Sequence, residues 1–370
     1  MQVKKIGIAG AGVMGGELAW VVTQAGLPVV LKDVDRKFLD AGLARCRQVY
    51  EFKVKRRRMT AEDMERKIAL VIPTLDYEPF ADVDLVIEAV PEKLAVKQAV
   101  FAELDAACPA GTVLASNTSA LSIAAIGERT ARRDRVVGMH FFNPPSMMTL
   151  VEVIRAEQTS DQTVAAAVSV CERIGKTPVV CADSAGFIVN RLLCAAMLEA
   201  MRCEAQGLAD RRDIDSFLVK PDAGLPVGLF RMADQLGLGL LANVMGILNQ
   251  AFGDRFPVPE QIADRVAAGN LGVSTGKGFY DYGDPASIKA TGADANRDLV
   301  VARVLTAVVA EARRLVSEGV AEPEGVDLAM RNGALLKKTP FAYTAETGEQ
   351  AMNERLADFA ARFGPQFEIG

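Results

Sequence analysis

Hydrophobic and polar positions follow two different patterns along the chain, and the change comes near residue 183. Before it, short runs of Val, Ile and Leu alternate with longer amphipathic segments, which is typical of βαβ units feeding a parallel sheet. Seven runs are predicted to be strands: Val3–Ala9, Leu27–Lys32, Asp84–Ala89, Thr112–Ser116, Arg135–Phe141, Leu150–Ile154 and Pro178–Cys181. We expect the last two to lie beyond a switch point of the sheet.

From Asp183 onward the segments are long, rich in Ala, Leu, Met and Arg, and helical in spacing. This region contains an internal repeat. Several positions recur 112 places later, namely Arg191 as Arg303, Glu199 as Glu311, Gly207 as Gly319 and Asp215 as Asp327. The copies are unequal, because Asn190 corresponds to Ala302. The pattern predicts an α/β domain over 1–183 and an all-α domain in two tandem, diverged copies, 184–290 and 291–370.

Composition and charge exclude several classes of protein. No apolar run approaches the ~18 residues of a membrane-spanning helix, and a strand-like segment begins at Val3, so we expect no leader peptide, no membrane and a cytoplasmic location. Six scattered cysteines and a single histidine predict reduced thiols and no metal site. The net charge of -5 argues against nucleic acid as the main partner.

One local exception to that charge is the run from Lys53 to Arg58, which holds five cations in six residues. Such a run attracts polyanionic ligands, or it is simply the solvated face of a helix. Taken alone, the run favours the second interpretation.

A glycine-rich loop follows the first predicted strand. Gly10, Gly12 and Gly15 have the G-x-G-x-x-G spacing and open a helix, as in Rossmann-like, doubly wound domains that bind a dinucleotide diphosphate at a helix N-terminus. Asp33 ends the second strand, where an acid binds the adenosine ribose hydroxyls; otherwise it is a turn residue at a strand end. Because a carboxylate there repels a 2′-phosphate, the predicted cofactor is NAD.

The only histidine, His140, ends the predicted strand Arg135–Phe141 just before Asn143 and Pro144. Imidazole suits the removal of a hydroxyl proton near neutral pH, and strand ends face the ligand edge of an α/β sheet. By itself, a histidine in such a place is more often structural.

Motifs around His140 change that balance. The segments His140–Pro144 and Leu150–Ile154 resemble the 3-hydroxyacyl-CoA dehydrogenase family. Segments 116–119, 186–191 and 276–280 also look like motifs of that family, in the same order. The resemblance covers the whole chain, and the duplicated tail is similar to the dehydrogenase part of multifunctional β-oxidation enzymes without their hydratase domain.

The resemblance implies NAD-dependent oxidation of an (S)-3-hydroxyacyl-CoA, in fatty-acid β-oxidation or in short-chain hydroxybutyryl-CoA metabolism. His140 would be the base and Glu152 its partner, holding one tautomer and stabilising the imidazolium. Ser119 and Asn190 would hydrogen-bond near the substrate hydroxyl, thioester and nicotinamide.

The family also implies positions near the cofactor and at coenzyme A. Residues matching the cofactor positions are Glu92, Lys97, Asn117 and Asn143. A helical arm after the second strand contacts coenzyme A in the family, which gives the basic run a purpose and assigns it Lys53, Lys55 and Arg56. Arg56 aligns best with the family's phosphate-binding lysine.

Three positions depart from the family pattern. Ser274 stands where a lysine is usual, so that contact is lost or is taken over by Lys277. Leu229 replaces a proline and Thr149 a lysine. These departures concern substrate preference and cofactor affinity rather than the class of reaction.

Two other functions compete with this prediction. One is an NAD-dependent dehydrogenase of a free hydroxy acid or sugar acid, which would not need the 53–58 cations. The other is an NAD-binding protein without turnover, against which the set of His140, Glu152, Ser119 and Asn190 argues. Because two-domain relatives dimerise through the helical domain, the duplicated copy predicts a monomer, with a homodimer as the alternative.

Overall fold

The computed structural model describes residues 3–369. Its chain divides into two compact units, Met1–Ser184 and Ala185–Gly370, called here the sheet unit and the helical unit. In the described part of the chain, no single helix is long and apolar enough to cross a membrane. Two consecutive helices, bent by 101° to each other, pass that test only together and only by length and composition.

The sheet unit is built on eight strands. They are β1 (Ile6–Ala9), β2 (Val29–Lys32), β3 (Val71–Thr74), β4 (Leu85–Glu88), β5 (Val113–Ser116), β6 (Val136–Phe141), β7 (Leu150–Arg155) and β8 (Thr177–Ala182). The helices of this unit are α1 (Val13–Gln24), α2 (Arg36–Lys55), α3 (Ala61–Ile68), α4 (Leu94–Ala107), α5 (Ile123–Gly127) and α6 (Asp161–Arg173).

The spatial order of the strands is β3-β2-β1-β4-β5-β6-β7-β8, so the chain reverses its direction of growth between β1 and β4. All seven predicted strands are present, with ends that differ by up to three residues. The sequence pattern missed β3, because this short edge strand contains Pro73 and buries little of its surface.

The prediction of a parallel sheet was incomplete, since β7 runs antiparallel to β6. A short loop joins the two strands, and a parallel pair would need a crossover of a dozen or more residues. The two strands predicted to lie beyond a switch point, β7 and β8, occupy the far end of the sheet. The Rossmann-like α/β fold class is confirmed, with this mixed edge as the correction.

Apolar burial explains why these strands form. Both faces of β1, β2 and β4 are buried, and such strands read as near-continuous apolar runs. Side chains of α1 and α6, including Leu18, Val22 and Val170, join Ile8 and Val151 in one hydrophobic core.

The helical unit contains nine α-helices within its described residues. They are α7 (Val189–Ala205), α8 (Arg211–Leu218), α9 (Leu229–Leu236), α10 (Leu238–Phe252), α11 (Glu260–Ala267), α12 (Arg297–Ser317), α13 (Pro323–Gly333), α14 (Pro340–Thr347) and α15 (Glu349–Phe363). Helices α7 and α12 are the longest and pack against each other. Most residues of both helices are buried.

Two ion pairs cross reciprocally between α7 and α12. Arg191 Nε lies 2.6 Å from Glu311 Oε1, and Arg303 Nε lies 2.6 Å from Glu199 Oε1. All four side chains are almost fully buried. Each arginine thus pairs with the glutamate of the other half of the predicted repeat.

Two aspartates at matching positions of the predicted repeat, Asp215 and Asp327, each bind the start of a helix. Asp215 accepts backbone N–H bonds at the start of α9, from Phe230 and Arg231, and Asp327 does the same at the start of α14. Burial raises the pKa of Asp215, these hydrogen bonds and one from the Tyr280 hydroxyl oppose that rise, and the net value is about 6.

Candidate active site

The glycine loop joins β1 to α1 at the carboxyl edge of the sheet. Gly10 has a φ of 104°, and a Cβ on it would lie 2.7 Å from the carbonyl oxygen of Ala89. A Cβ on Gly15 would collide with the carbonyl oxygen of Gly10, whereas one on Gly12 would meet open space. The first and third glycines are therefore needed for the turn and the helix packing, and the second leaves its side open to a ligand.

Helix α1 starts at this loop without a side-chain cap and without an acidic residue in its first turn. Its N-terminal N–H groups and the positive end of its dipole suit a diphosphate. The backbone N–H of Ala11, in the loop itself, donates to Asp33 Oδ2 at 2.7 Å.

A cavity of about 590 Å³ lies beside this loop, at the reversal between β1 and β4. Asp33, at the end of β2, lines it together with Gly12, Phe38 and Tyr77. Its carboxylate is held by the N–H of Ala11 and, at 2.7 Å, by the N–H of Val34. The cavity has the size of a small-molecule site, and the glycine cradle, bare helix start and fixed carboxylate fit the diphosphate and ribose of NAD.

His140 and Glu152 face each other across the antiparallel pair β6 and β7, at directly opposite positions of the register. The distance from His140 Nδ1 to Glu152 Oε2 is 2.7 Å. His140 is 5% exposed and Glu152 is fully buried. The ring of Phe142 lies 4.5 Å from the imidazole, centroid to centroid.

This register brings together two residues that are 12 positions apart, because opposite residues of a sheet project on the same face. A buried carboxylate at Nδ1 fixes the proton on that nitrogen and directs Nε2 to accept another. An imidazole held by a carboxylate in this way can act as a base, and β6 places it at the same sheet edge as the glycine loop.

A second charged cluster occupies the edge between β4 and β5. Lys97 is 1% exposed, and its ammonium lies 2.8 Å from Glu88 Oε1 and 3.2 Å from Glu92 Oε2. Glu92 in turn accepts the backbone N–H of Ser119 at 2.8 Å and the hydroxyl of Thr118. Lys97 therefore acts within the protein, fixing Glu92 and through it the backbone of Ser119.

Glu88, at the end of β4, belongs to this cluster although its position in the sequence did not single it out. It is fully buried and accepts bonds from Lys97, the Ser116 hydroxyl at 2.6 Å and the Val90 N–H at 2.7 Å. An acid in an otherwise apolar β-strand run was the available signal, since such a group needs partners to be buried.

The two asparagines near the predicted cofactor position have different surroundings. Asn117 follows β5 and its side-chain oxygen accepts the N–H of Phe141 at 2.8 Å, which ties β5 to the end of β6. Asn143 lies in the loop that follows β6 and precedes a cis peptide bond to Pro144.

This loop after His140 is anchored by two residues that the sequence analysis missed. The Lys176 ammonium donates to the carbonyl oxygen of Met148 at 2.7 Å and to that of Pro145. Glu17 accepts the hydroxyl of Ser146 at 2.8 Å. Burial lowers the pKa of Lys176. Nothing in the spacing of these residues along the chain signals their contacts, which arise only from the fold.

Two predicted site residues belong to the helical unit. Asn190 is the second residue of α7 and is partly buried. Lys277 is exposed in a tight loop that Asp234 fastens by accepting the N–H groups of Phe279 and Tyr280, at 2.8 and 3.0 Å.

The basic run forms the end of α2 and the turn that follows it. Lys55 and Arg56 are exposed, whereas Lys53 is partly buried with its ammonium 4.4 Å from the ring centre of Trp20. Burial lowers the pKa of Lys53.

The fold and these side chains define an NAD-binding dehydrogenase domain with a histidine–glutamate pair. Its glycine loop and the acid after β2 line one cavity, and His140 lies next to the last residue of β6.

Family models identify the family to which the chain belongs. The NAD-binding domain model of 3-hydroxyacyl-CoA dehydrogenase matches residues 5–184, and the C-terminal domain model matches residues 186–282 and 299–369. The chain belongs to the 3-hydroxyacyl-CoA dehydrogenase family and is an NAD-dependent oxidoreductase.

Solved structures agree with this assignment. The chain is similar to a 3-hydroxybutyryl-CoA dehydrogenase from Escherichia coli K12, with 27% identity, a TM-score of 0.92 and coverage of 100% of this chain and 97% of that one. It is 35% identical to the (S)-3-hydroxybutyryl-CoA dehydrogenase PaaH1 from Ralstonia eutropha, with a TM-score of 0.72 over 75% of this chain and 98% of the other. FadB2 from M. tuberculosis is 34% identical, with a TM-score of 0.73 over 76% of this chain and all of its own.

Proposed function

We propose that this protein oxidises (S)-3-hydroxyacyl-CoA to 3-oxoacyl-CoA with NAD. The buried His140–Glu152 pair carries the proposal, because it supplies a base with a fixed tautomer at the sheet edge that also holds the cofactor loop. Two relatives named as 3-hydroxybutyryl-CoA dehydrogenases support the choice of a CoA thioester.

In this mechanism His140 Nε2 removes the proton of the 3-hydroxyl, and the C3–O bond becomes a carbonyl as hydride departs from C3. NAD, when bound, accepts that hydride. Glu152 keeps Nδ1 protonated and stabilises the imidazolium, which carries the abstracted proton. A positioned base of this kind contributes typically 10²–10⁴-fold in rate.

Ser119 and Asn190 are proposed to hydrogen-bond the substrate oxygens. Lys97 holds Glu92, and Glu92 accepts the backbone N–H of Ser119. The backbone that carries the Ser119 hydroxyl therefore has a fixed position. For the cofactor, we propose that Gly10, Gly12 and Gly15 shape the diphosphate site and that Asp33 holds the ribose. The proposed cofactor positions are completed by Glu92, Lys97, Asn117, Asn143 and Lys277, with Lys97 acting by holding Glu92. The proposed contacts to coenzyme A are Lys53, Lys55 and Arg56.

We also propose that the helical unit consists of two diverged copies and that only the first, with Asn190, serves His140. The reciprocal Arg191–Glu311 and Arg303–Glu199 pairs support the duplication. Since the second copy packs on the first, it is proposed to take the place of a partner subunit, which leaves the protein a monomer.

The competing function is oxidation of a free hydroxy acid or sugar acid. NADH formation from (S)-3-hydroxybutyryl-CoA and from free 3-hydroxybutyrate separates the two. We expect kcat/KM to favour the thioester by several orders of magnitude; turnover of the free acid alone would refute the proposal.

A further inference from the structure

The loop between β6 and β7, residues 142–149, is tied to the helix that opens the cofactor site. Glu17 lies in the second turn of α1 and is 8% exposed. Its Oε2 accepts the backbone N–H of Ser146 at 3.2 Å and the Ser146 hydroxyl at 2.8 Å. A carboxylate buried for two bonds to one serine adds little to stability, because its desolvation offsets much of their energy.

Lys176 holds the same loop through its carbonyl groups. The Lys176 ammonium binds the carbonyl oxygens of Pro145 and Met148, and Ser146, which Glu17 binds, lies between them in sequence. A cation thus takes the acceptors of this short segment and an anion takes its donors. Hydrogen bonds with one charged partner are about twice as strong as neutral ones, so the loop has a fixed position on α1.

This loop directly follows the strand that carries His140. Asn143, a proposed cofactor contact, lies in the same loop as Ser146. Because His140 takes the proton of the C3 hydroxyl in the proposed reaction, the ring that accepts hydride from C3 has to lie beside His140. The start of α1 suits the diphosphate of the same cofactor. The Glu17–Ser146 contact therefore joins the diphosphate site to the segment beside the nicotinamide.

We propose that Glu17 and Ser146 are positioning residues, which hold the loop on α1 so that the nicotinamide meets C3 in the geometry of hydride transfer. The reaction that they serve rests on the proposed function. A displacement of about 1 Å between reacting groups can lower a rate by about 10²-fold. Since the glycine loop and Asp33 are the proposed contacts to diphosphate and ribose, loss of the Glu17–Ser146 contact should affect the nicotinamide end of the cofactor alone.

The direct test measures turnover and cofactor affinity in Ser146→Ala. Its kcat for (S)-3-hydroxybutyryl-CoA should fall by roughly 10- to 100-fold. Affinity for NADH should fall by about fivefold, the equivalent of one net hydrogen bond. Affinity for ADP-ribose, which lacks the nicotinamide, should stay within about twofold of wild type. Wild-type kcat in the folded variant, or equal losses of affinity for NADH and ADP-ribose, would overturn the proposal.

Conservative and disruptive changes at Glu17 separate the contact from the charge. Glu17→Gln keeps an oxygen that accepts both bonds from Ser146, so kcat should stay within about threefold of wild type. Glu17→Leu should lose as much as Ser146→Ala does. Combining these last two changes should add no further loss, because both break the same contact. Fully additive losses would contradict a shared role.

Thr159 provides a matched control at the other end of β6. Its buried hydroxyl donates to the carbonyl of Val136 at 2.6 Å and accepts the N–H of Ala156 at 3.1 Å. Thr159→Ala should lower the melting temperature at least as much as Ser146→Ala, yet leave kcat and NADH affinity within about twofold of wild type. If both variants lower kcat equally, the loss reflects general destabilisation and the proposal fails.

Failure of the proposed function would give a different result. Wild type would then form no NADH from the thioester. The comparison of NADH with ADP-ribose would still decide whether Ser146 positions the nicotinamide.

Discussion

Replacing Glu152 with glutamine tests how the buried carboxylate serves His140. The change keeps the size of the side chain and removes one charge at 2.7 Å from Nδ1. At an effective dielectric constant of about 20 and a charge separation of about 4 Å, the lost attraction for an imidazolium is about 4 kcal/mol. If the transition state carries most of that imidazolium charge, kcat falls by roughly a thousandfold.

The glutamine amide adds a second defect, because its NH₂ group can donate to Nδ1 and leave the proton on Nε2. Such a tautomer cannot accept the substrate proton. Both effects act on the chemical step, so KM for NAD should stay within about twofold of wild type.

The assay is NADH formation from (S)-3-hydroxybutyryl-CoA at saturating substrate, with NAD affinity and thermal unfolding measured on the same preparations. Glu152→Asp is the control, because it keeps the charge and should recover at least tenfold of the lost kcat. A folded Glu152→Gln enzyme with kcat within tenfold of wild type would refute the role given to this carboxylate.

Three further predictions concern the helical unit. Because the pKa of Asp215 is raised from 3.8 to about 6, its stabilising effect is complete below about pH 3.8 and is lost as pH rises through 6. Between about pH 4 and 7 the unfolding free energy of wild type should therefore fall by about 3 kcal/mol through this group. The capping control Asp327→Asn should show the same fall, and Asp215→Asn should not. The same pH dependence of the unfolding free energy in Asp215→Asn and in wild type, measured by urea denaturation, would contradict this. Glu199→Gln leaves Arg303 buried without its counter-charge and should lower the free energy of unfolding, measured in urea, by about 3–5 kcal/mol. Adding Arg303→Met should restore much of that loss. If the effects of the two changes simply add in the double variant, the pair does not contribute as described. Sedimentation should give the mass of one chain, and a dimer alone would count against the second copy as a substitute for a partner.

Much of the sheet unit can be predicted from the sequence, because its central strands are apolar on both faces and its glycine loop has a steric reason at the first and third glycines. Gly10 and Gly15 have no room for a side chain, so their spacing carries information about the fold. Strand β3 was not predicted, because an edge strand with a proline and few buried residues has almost no pattern of hydrophobic positions.

The site is less visible in the sequence where contacts join distant segments. His140 and Glu152 were paired by family resemblance, and the structure supplies the reason, an antiparallel register that no spacing rule reveals. Glu88 and Lys176 were not predicted, because their partners also come from distant segments of the chain. Lys97 is predicted to lie near the cofactor, and the structure adds that its ammonium is buried between Glu88 and Glu92.

The most direct test of the account is the rate of NADH formation from (S)-3-hydroxybutyryl-CoA by wild type and by His140→Ala. The histidine is the base in this account, so the variant should bind NAD as wild type does and lose at least roughly a hundredfold in kcat. A folded, NAD-binding His140→Ala protein that turns over the thioester at the wild-type rate would contradict it.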